Sequence, residues 1–370
     1  MKTFVGVVVT RNGDEWLKNR RTMNKIMLAQ NSVNFMIDPC YDAASDLVAK
    51  WKKYPTGQVV PDLEHQLYQL SIEVILATLV GKSWPSYRSR ILGELDLFSR
   101  KLSQIFEYSV KLSRVRARLA ETLRLPSWRG FVATTDYCFD TVDRLVQDMM
   151  GLGDAEDGML GRMLADGLDE PMLRRIVADL IIAAGDTTAF ALQWLLFLLA
   201  SNPGAQDRLH EAVRELDRTE VLKDPLIRGT IKETLRLYPI APFIGRVMPH
   251  TDFLDRFLID RGELVAMSIY TCGRSESHFP RAHEFRPERW LRNDKGEYLE
   301  VRNPNASLPF SMGAKSCIGK KLAETQLSLV TAELLKNFKI DCLNKENIAI
   351  KLRLITAPSE PLQLQLTARN

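Results

Sequence analysis

Leu308-Pro309-Phe310-Ser311-Met312-Gly313-Ala314-Lys315-Ser316-Cys317-Ile318-Gly319 is the stretch whose reading decides the fold. Two glycines bracket a single cysteine, an aromatic opens the loop, and a helix-forming run from 320 to 336 follows directly. Gly313 permits a tight turn that a side chain would obstruct. Cys317 is expected at the start of a helix, where unpaired N–H groups and the dipole favour thiolate over thiol. Gly319 is expected to let backbone amides approach the sulfur. Such a loop suits one charged sulfur held against a large flat partner, although a lone cysteine between glycines is more commonly a small buried hydrophobe.

Composition bounds what surrounds the loop. The chain has 370 residues, 45% hydrophobic and 26% charged, with no composition break, linker or repeat, so residues 1–370 read as one large globular domain. A net charge of +4 is too small to argue for nucleic acid. Five cysteines, Cys40, Cys138, Cys272, Cys317 and Cys342, form no CxxC pair. That suits a reducing interior and argues against a disulfide scaffold or a zinc site. Met1-Lys2-Thr3-Phe4-Val5 runs straight into a strand-like segment without a signal-peptide pattern.

The longest apolar run lies within residues 169–200. Ile176 to Ala200 is long enough for a membrane span, but Asp179, Asp186, Thr187, Thr188 and Gln193 are polar groups that are costly at bilayer depth. The sequence therefore predicts a buried central helix. Helical spacing puts Leu180, Ala183, Thr187, Phe190 and Trp194 broadly on one face, with Thr187 as the hydroxyl on an apolar stripe. Further helices are predicted near 13–21, 39–53, 61–79, 87–112, 204–216 and 226–237, and strands at 257–259 and 263–269. In the first helix Trp16 and Arg20 share a face; in the last, Arg228 with Lys232 and Glu233 with Arg236 do. The tail alternates Ile350, Leu352, Leu354 and then Leu362, Leu364, Leu366, which predicts a hairpin turning near Thr356-Ala357-Pro358. Arg114, Arg116, Arg118, Arg124, Trp128 and Arg129, interleaved with leucines, suit a membrane interface and equally a solvated helix with one packed tryptophan.

Phe-x-x-Gly-x-Lys-x-Cys-x-Gly resembles the proximal haem loop of the cytochrome P-450 family, and Ala183-Ala184-Gly185-Asp186-Thr187-Thr188 resembles its oxygen-activation motif. Glu233-x-x-Arg236 and Phe285-Arg286-Pro287-Glu288-Arg289-Trp290 follow in the family's order. The resemblance implies a mainly α-helical fold with a small β portion, and haem b (iron protoporphyrin IX) buried between the central helix and the cysteine loop. It implies that Cys317 is the axial thiolate, which favours O–O cleavage. Trp16, Arg20, Arg246, Phe310 and Lys315 would contact the haem. Lys315 stands where the family has Arg and so lacks the bidentate fork; Ser311 stands where Gly is frequent. Asp186 and Thr187 would deliver protons to dioxygen, although a threonine there can also bond back to its own helix. Ala184 occupies the motif's glycine position and Gly185 follows it. Glu233, Arg236 and Arg289 would form a buried ion network under the site, with Trp290 as an apolar filler.

Ala183, Ile240, Phe243 and Ile244 would line the substrate pocket, though the last three suit core packing equally well. Arg228, Lys232, Lys320 and Lys321 match the cations with which mitochondrial members dock an acidic ferredoxin, though each could be merely solvated. Within that branch the motifs look like those of arthropod ecdysteroid hydroxylases. The implied enzyme is a monooxygenase that inserts one oxygen atom of dioxygen into a steroid C–H bond, at carbon 2 of an ecdysteroid precursor, on the matrix face of the mitochondrial inner membrane with peripheral membrane contact. The alternatives are another sterol or a xenobiotic, or a catalytically silent haem- or sterol-binding fragment. The family's chains extend further at the N-terminus, so this one reads as N-terminally truncated, without a targeting segment.

Overall fold

The computed structural model describes residues 13–113, 115–152, 157–353 and 355–369. The first half is helical: α1 Asp14–Met27, α2 Asn34–Trp51, α3 Leu63–Val80, α4 Trp84–Leu112, α5 Ala117–Thr122, α6 Pro126–Met150 and α7 Met159–Ala165. The long α8, Glu170–Ser201, leads to α9 Pro203–Val213, α10 Arg218–Val221 and α11 Pro225–Leu237. Strands β1 Phe243–Val247, β2 Asp252–Leu254, β3 Phe257–Ile259 and β4 Leu264–Ser268 precede α12 Ile269–Gly273 and α13 Lys320–Asn337. The chain finishes through β5 Phe338–Cys342, β6 Ile350–Arg353, β7 Ile355–Pro358 and β8 Leu364–Ala368.

α8 organises the core. The Asp169 carboxylate accepts from the Met172 N–H at 2.9 Å and caps its start, and Asn202-Pro203 stops it. At about 1.5 Å per residue it runs about 48 Å. Of its most apolar window, 78% is buried, against α3, α6, α11 and α13. The predicted buried central helix is therefore found, within a residue of its predicted ends. Trp194 fixes it to the end of α11 by stacking on Tyr238, with ring centroids 4.0 Å apart.

The sheets are antiparallel pairs: β1 with β4, β2 with β3, β5 with β8, and β6 with β7. The tail differs from the predicted hairpin. Ile350–Arg353 turns at once into Ile355–Pro358, while the strand carrying Leu364 and Leu366 pairs with β5. Alternation assigns a strand its two faces but says nothing of its partner, and β5 was not predicted. Thr356, placed in the expected turn, is instead strand. Its N–H donates to the Ile240 carbonyl at 2.9 Å, and its hydroxyl to that of Pro239 at 2.8 Å. Pro39, the predicted start of a helix, lies inside α2. Arg114, Leu354 and the strand-like segment after Met1 lie outside the described residues. Around α5, Leu119 and Leu123 are exposed, and Trp128 packs on Phe131.

Candidate active site

The cysteine loop is closed by its own backbone. The Cys317 N–H donates to the Phe310 carbonyl at 2.8 Å, and the Ser316 N–H to that of Gly313 at 3.0 Å. Gly313 has φ +73° and Ser311 φ +57°, so both sit in the left-handed region. Glycine adopts that region freely; serine does so at a cost of about 1 kcal/mol. Ser311 has a compensating contact, since Arg246 Nη2 donates to its Oγ at 2.9 Å. A Cβ on Gly319 would lie 3.9 Å from the Cys317 sulfur, an ordinary contact, so the loop itself does not demand glycine there.

Several opposing influences act on the cysteine's ionisation. Burial pushes the Cys317 thiol up, and this outweighs the Gly319 N–H, Arg20 and Lys320, which pull it down. The predicted helix start lies three residues on, at Lys320, and the Cys317 N–H is already used. A bound metal cation acts in the opposite sense and favours the thiolate.

α1 brings a second set of groups to the loop. Arg20, buried, donates to the Ser316 carbonyl and, at 2.9 Å, to Asn24 Oδ1. The Lys315 ammonium lies 3.7 Å from the centre of the Trp16 ring. The cation on this tryptophan is thus Lys315, from the loop, and the face shared by Trp16 and Arg20 docks on the loop. Lys315 is held below the usual lysine range by burial and then by Arg20 and Arg246. Three cations converge on one spot, an arrangement that favours an anionic group between them.

On α8, Ile182, Ala183, Ala184 and Thr187 are the partly open positions between Gly185-flanking residues that are otherwise buried. The Thr187 hydroxyl donates to the Ala183 carbonyl at 2.7 Å, the within-helix bond that sequence reasoning set aside. Its proton is occupied, so it presents acceptor lone pairs. Asp186 is buried and lines a separate cavity of about 20 Å³ with Glu64, Ser103, Phe106 and Glu107. Among the proposed pocket residues, Ile240 and Ile244 are buried while Phe243 is 56% exposed. Strand alternation puts Ile244 and Arg246 on one face of β1 and Phe243 on the other, so the four do not line one surface.

Below the site, Glu233 is fully buried and its two oxygens accept five hydrogen bonds. Arg236 Nε and Nη2 and Arg289 Nε donate at 2.8 Å, and the Arg286 N–H and Trp290 Nε1 at 2.9 Å. Trp290 is thus more than an apolar filler. Arg236 also donates to the carbonyls of Gly273 and Ala282, each at 2.6 Å, and Arg289 to that of Pro280 at 2.7 Å. All five N–H groups of Arg236 are directed, so its charge is hydrogen-bonded as well as paired.

The four cations assigned to a docking face gather around one carboxylate, Glu324. Its carboxyl is raised by burial, which outweighs Lys320, Arg228, Lys232 and Lys321. Lys232 is partly enclosed, donating to Tyr298 Oη at 3.2 Å over Trp290, and Lys321 donates to the Ala29 carbonyl. Arg228 and Lys320 remain exposed. Sequence reasoning missed Glu324, although its position four residues after Lys320 was a signal.

These residues fit a haem. Cys317 is exposed, with Arg20 near enough to act on its sulfur by charge. The cationic trio beside it suits carboxylates. α13, which begins three residues after Cys317, packs against the partly open α8. A cleft of about 280 Å³ between α1, α2 and α7, lined by Lys25, Phe35, Arg162 and Asp166, contains none of the candidate residues.

The fold and this chemistry define a haem-dependent monooxygenase. The chain belongs to the cytochrome P-450 family, whose model, Cytochrome P-450, matches residues 3–366. It is 36% identical to cytochrome P-450 315a1, mitochondrial, of Drosophila melanogaster, over 96% of this chain and 70% of that protein. It is 28% identical to the mitochondrial cholesterol side-chain cleavage enzyme of Hypanus americanus, over 96% and 72%. It is 27% identical to the mitochondrial sterol 26-hydroxylase of Rattus norvegicus, over 98% and 72%.

Proposed function

We propose that this monooxygenase hydroxylates a steroid, an ecdysteroid precursor at carbon 2, with electrons from a mitochondrial ferredoxin. The observation that carries the reading is that Ala183, Ala184 and Thr187 are partly open on an otherwise buried α8, packed on the helix that follows the exposed Cys317. Relatives named for cholesterol and sterol chemistry support the substrate class.

Haem, when bound, supplies the iron at which dioxygen is activated; one oxygen atom enters the substrate C–H bond and the other leaves as water. Cys317 holds the metal. Arg20, Lys315 and Arg246 take the carboxylates of the cofactor, with Trp16 and Phe310 as apolar walls. Thr187 offers its lone pairs as acceptor, and Asp186 supplies protons behind it. Glu233, Arg236 and Arg289 hold the scaffold rigid without touching substrate. Ala183, Ile240 and Ile244 shape the apolar side, with Phe243 at its outer margin. Arg228, Lys232, Lys320 and Lys321 form the face for an acidic ferredoxin, which speeds encounter more than it tightens the complex. Mitochondrial relatives support a mitochondrial location, on the matrix face of the inner membrane, with exposed Leu119 and Leu123 making peripheral membrane contact.

The test uses the haem-loaded enzyme with ferredoxin and its reductase. It is offered an ecdysteroid precursor lacking only the carbon 2 hydroxyl, cholesterol, and a steroid already hydroxylated there. The reading requires one added oxygen at carbon 2 of the first alone. Turnover of cholesterol only, or turnover that does not need ferredoxin, contradicts it.

A further inference from the structure

Gly185 immediately precedes Asp186. A Cβ at Gly185 would stand 2.6 Å from both Cζ and Oη of Tyr68, far inside any ordinary contact. The glycine therefore exists here to admit a phenol from α3, which packs along α8. That explains why the glycine of this motif stands one place later than the family pattern. Tyr68 is 3% exposed and Asp186 also 3%. Among the described residues the Tyr68 hydroxyl makes no hydrogen bond, and the Asp186 carboxylate lies close enough to act on it. Burial, followed by the charge and hydrogen bonding of Asp186, holds the Tyr68 proton far above the ordinary phenol range, so the group stays a donor at working pH. The other side of Asp186 opens on the cavity of about 20 Å³ beside Glu64, Ser103 and Glu107, enough for one water.

We propose that Tyr68 is a positioning residue: its hydroxyl, admitted by Gly185, donates to Asp186 and fixes the carboxylate between the water-sized cavity and the Thr187 turn. No covalent step is involved; the phenol keeps its proton, and the proton delivered comes from Asp186. The proposal rests on the reading of Asp186 as the proton source.

The experiment compares the haem-loaded wild type with Tyr68→Phe, which keeps the ring on Gly185 and removes only the oxygen. It measures product formed per dioxygen consumed, peroxide released, steroid KM, the solvent isotope effect, the melting temperature and the infrared carboxyl band of Asp186, assigned by its loss in Asp186→Asn. Loss of a hydrogen bond to a charged group corresponds to about a tenfold fall in coupled turnover. Peroxide and the isotope effect should rise, the carboxyl band should shift, and KM and melting should hold. Unchanged coupling with an unmoved band overturns the proposal and leaves Tyr68 a space-filler. Should Tyr68→Phe not fold, Gly185→Ala displaces the hydroxyl instead and must give the same band shift and uncoupling. If Asp186→Asn stays fully coupled, the reading of Asp186 itself fails; if it uncouples while Tyr68→Phe does not, only the Tyr68 proposal falls.

Discussion

Replacing Glu233 by Gln should cost more stability than any single surface change, and the structure sets the size. Two buried guanidiniums, one indole N–H and one backbone N–H all point at this carboxylate, none more than 2.9 Å away. Gln keeps one acceptor oxygen and turns an NH2 toward donors, leaving Arg236 and Arg289, each at most 1% exposed, without a counter-charge. Breaking a buried pair in this way costs about 3–5 kcal/mol. Spread over the unfolding entropy of 370 residues, about 2.1 cal/mol/K each, that is a fall in melting temperature of about 4–6 °C. Differential scanning calorimetry on cofactor-free and haem-loaded protein reads it directly. A variant melting within about 1 °C of wild type would show that the network is dispensable, and the argument from its geometry would be wrong.

Other consequences are equally accessible. Ser311→Gly removes left-handed strain and should stabilise the cofactor-free chain by about 1 kcal/mol, yet release haem faster because Arg246 loses its tether; slower release would contradict the assigned contact. Neutralising Arg228 and Lys320 together should lower the ferredoxin association rate and flatten its salt dependence, with the haem spectrum unchanged. Glu324 binds its proton more tightly folded than unfolded, so stability should fall as pH rises above its ordinary value of 4.5. In Glu324→Gln, urea titrations at several pH values should find that part of the slope gone.

Much of this was legible in the chain because it depends on local spacing. The ends of α8 follow from Asp169 and Asn202-Pro203, and the pairing of Glu233 with Arg236 follows from one helical turn. Other features depend on which elements meet, and no local pattern encodes that. Tyr68 lies 117 positions before Gly185, and nothing around either predicts contact. β8 pairs with β5 because α13 delivers β5 beside it, whereas the alternating leucines fit any partner. At Cys317 helix-start effects are worth at most about 1–2 kcal/mol, and burial of the sulfur opposes them. Ser311 was visible as a departure, but its φ of +57° and its bond to Arg246 were not.

The most direct test of the account is Cys317→Ser. Purified wild type, reduced under carbon monoxide, should show the long-wavelength Soret band of a thiolate-bound haem. The serine variant should still fold and take up some haem, yet lack that band entirely. The same band in both proteins would mean that another group holds the iron.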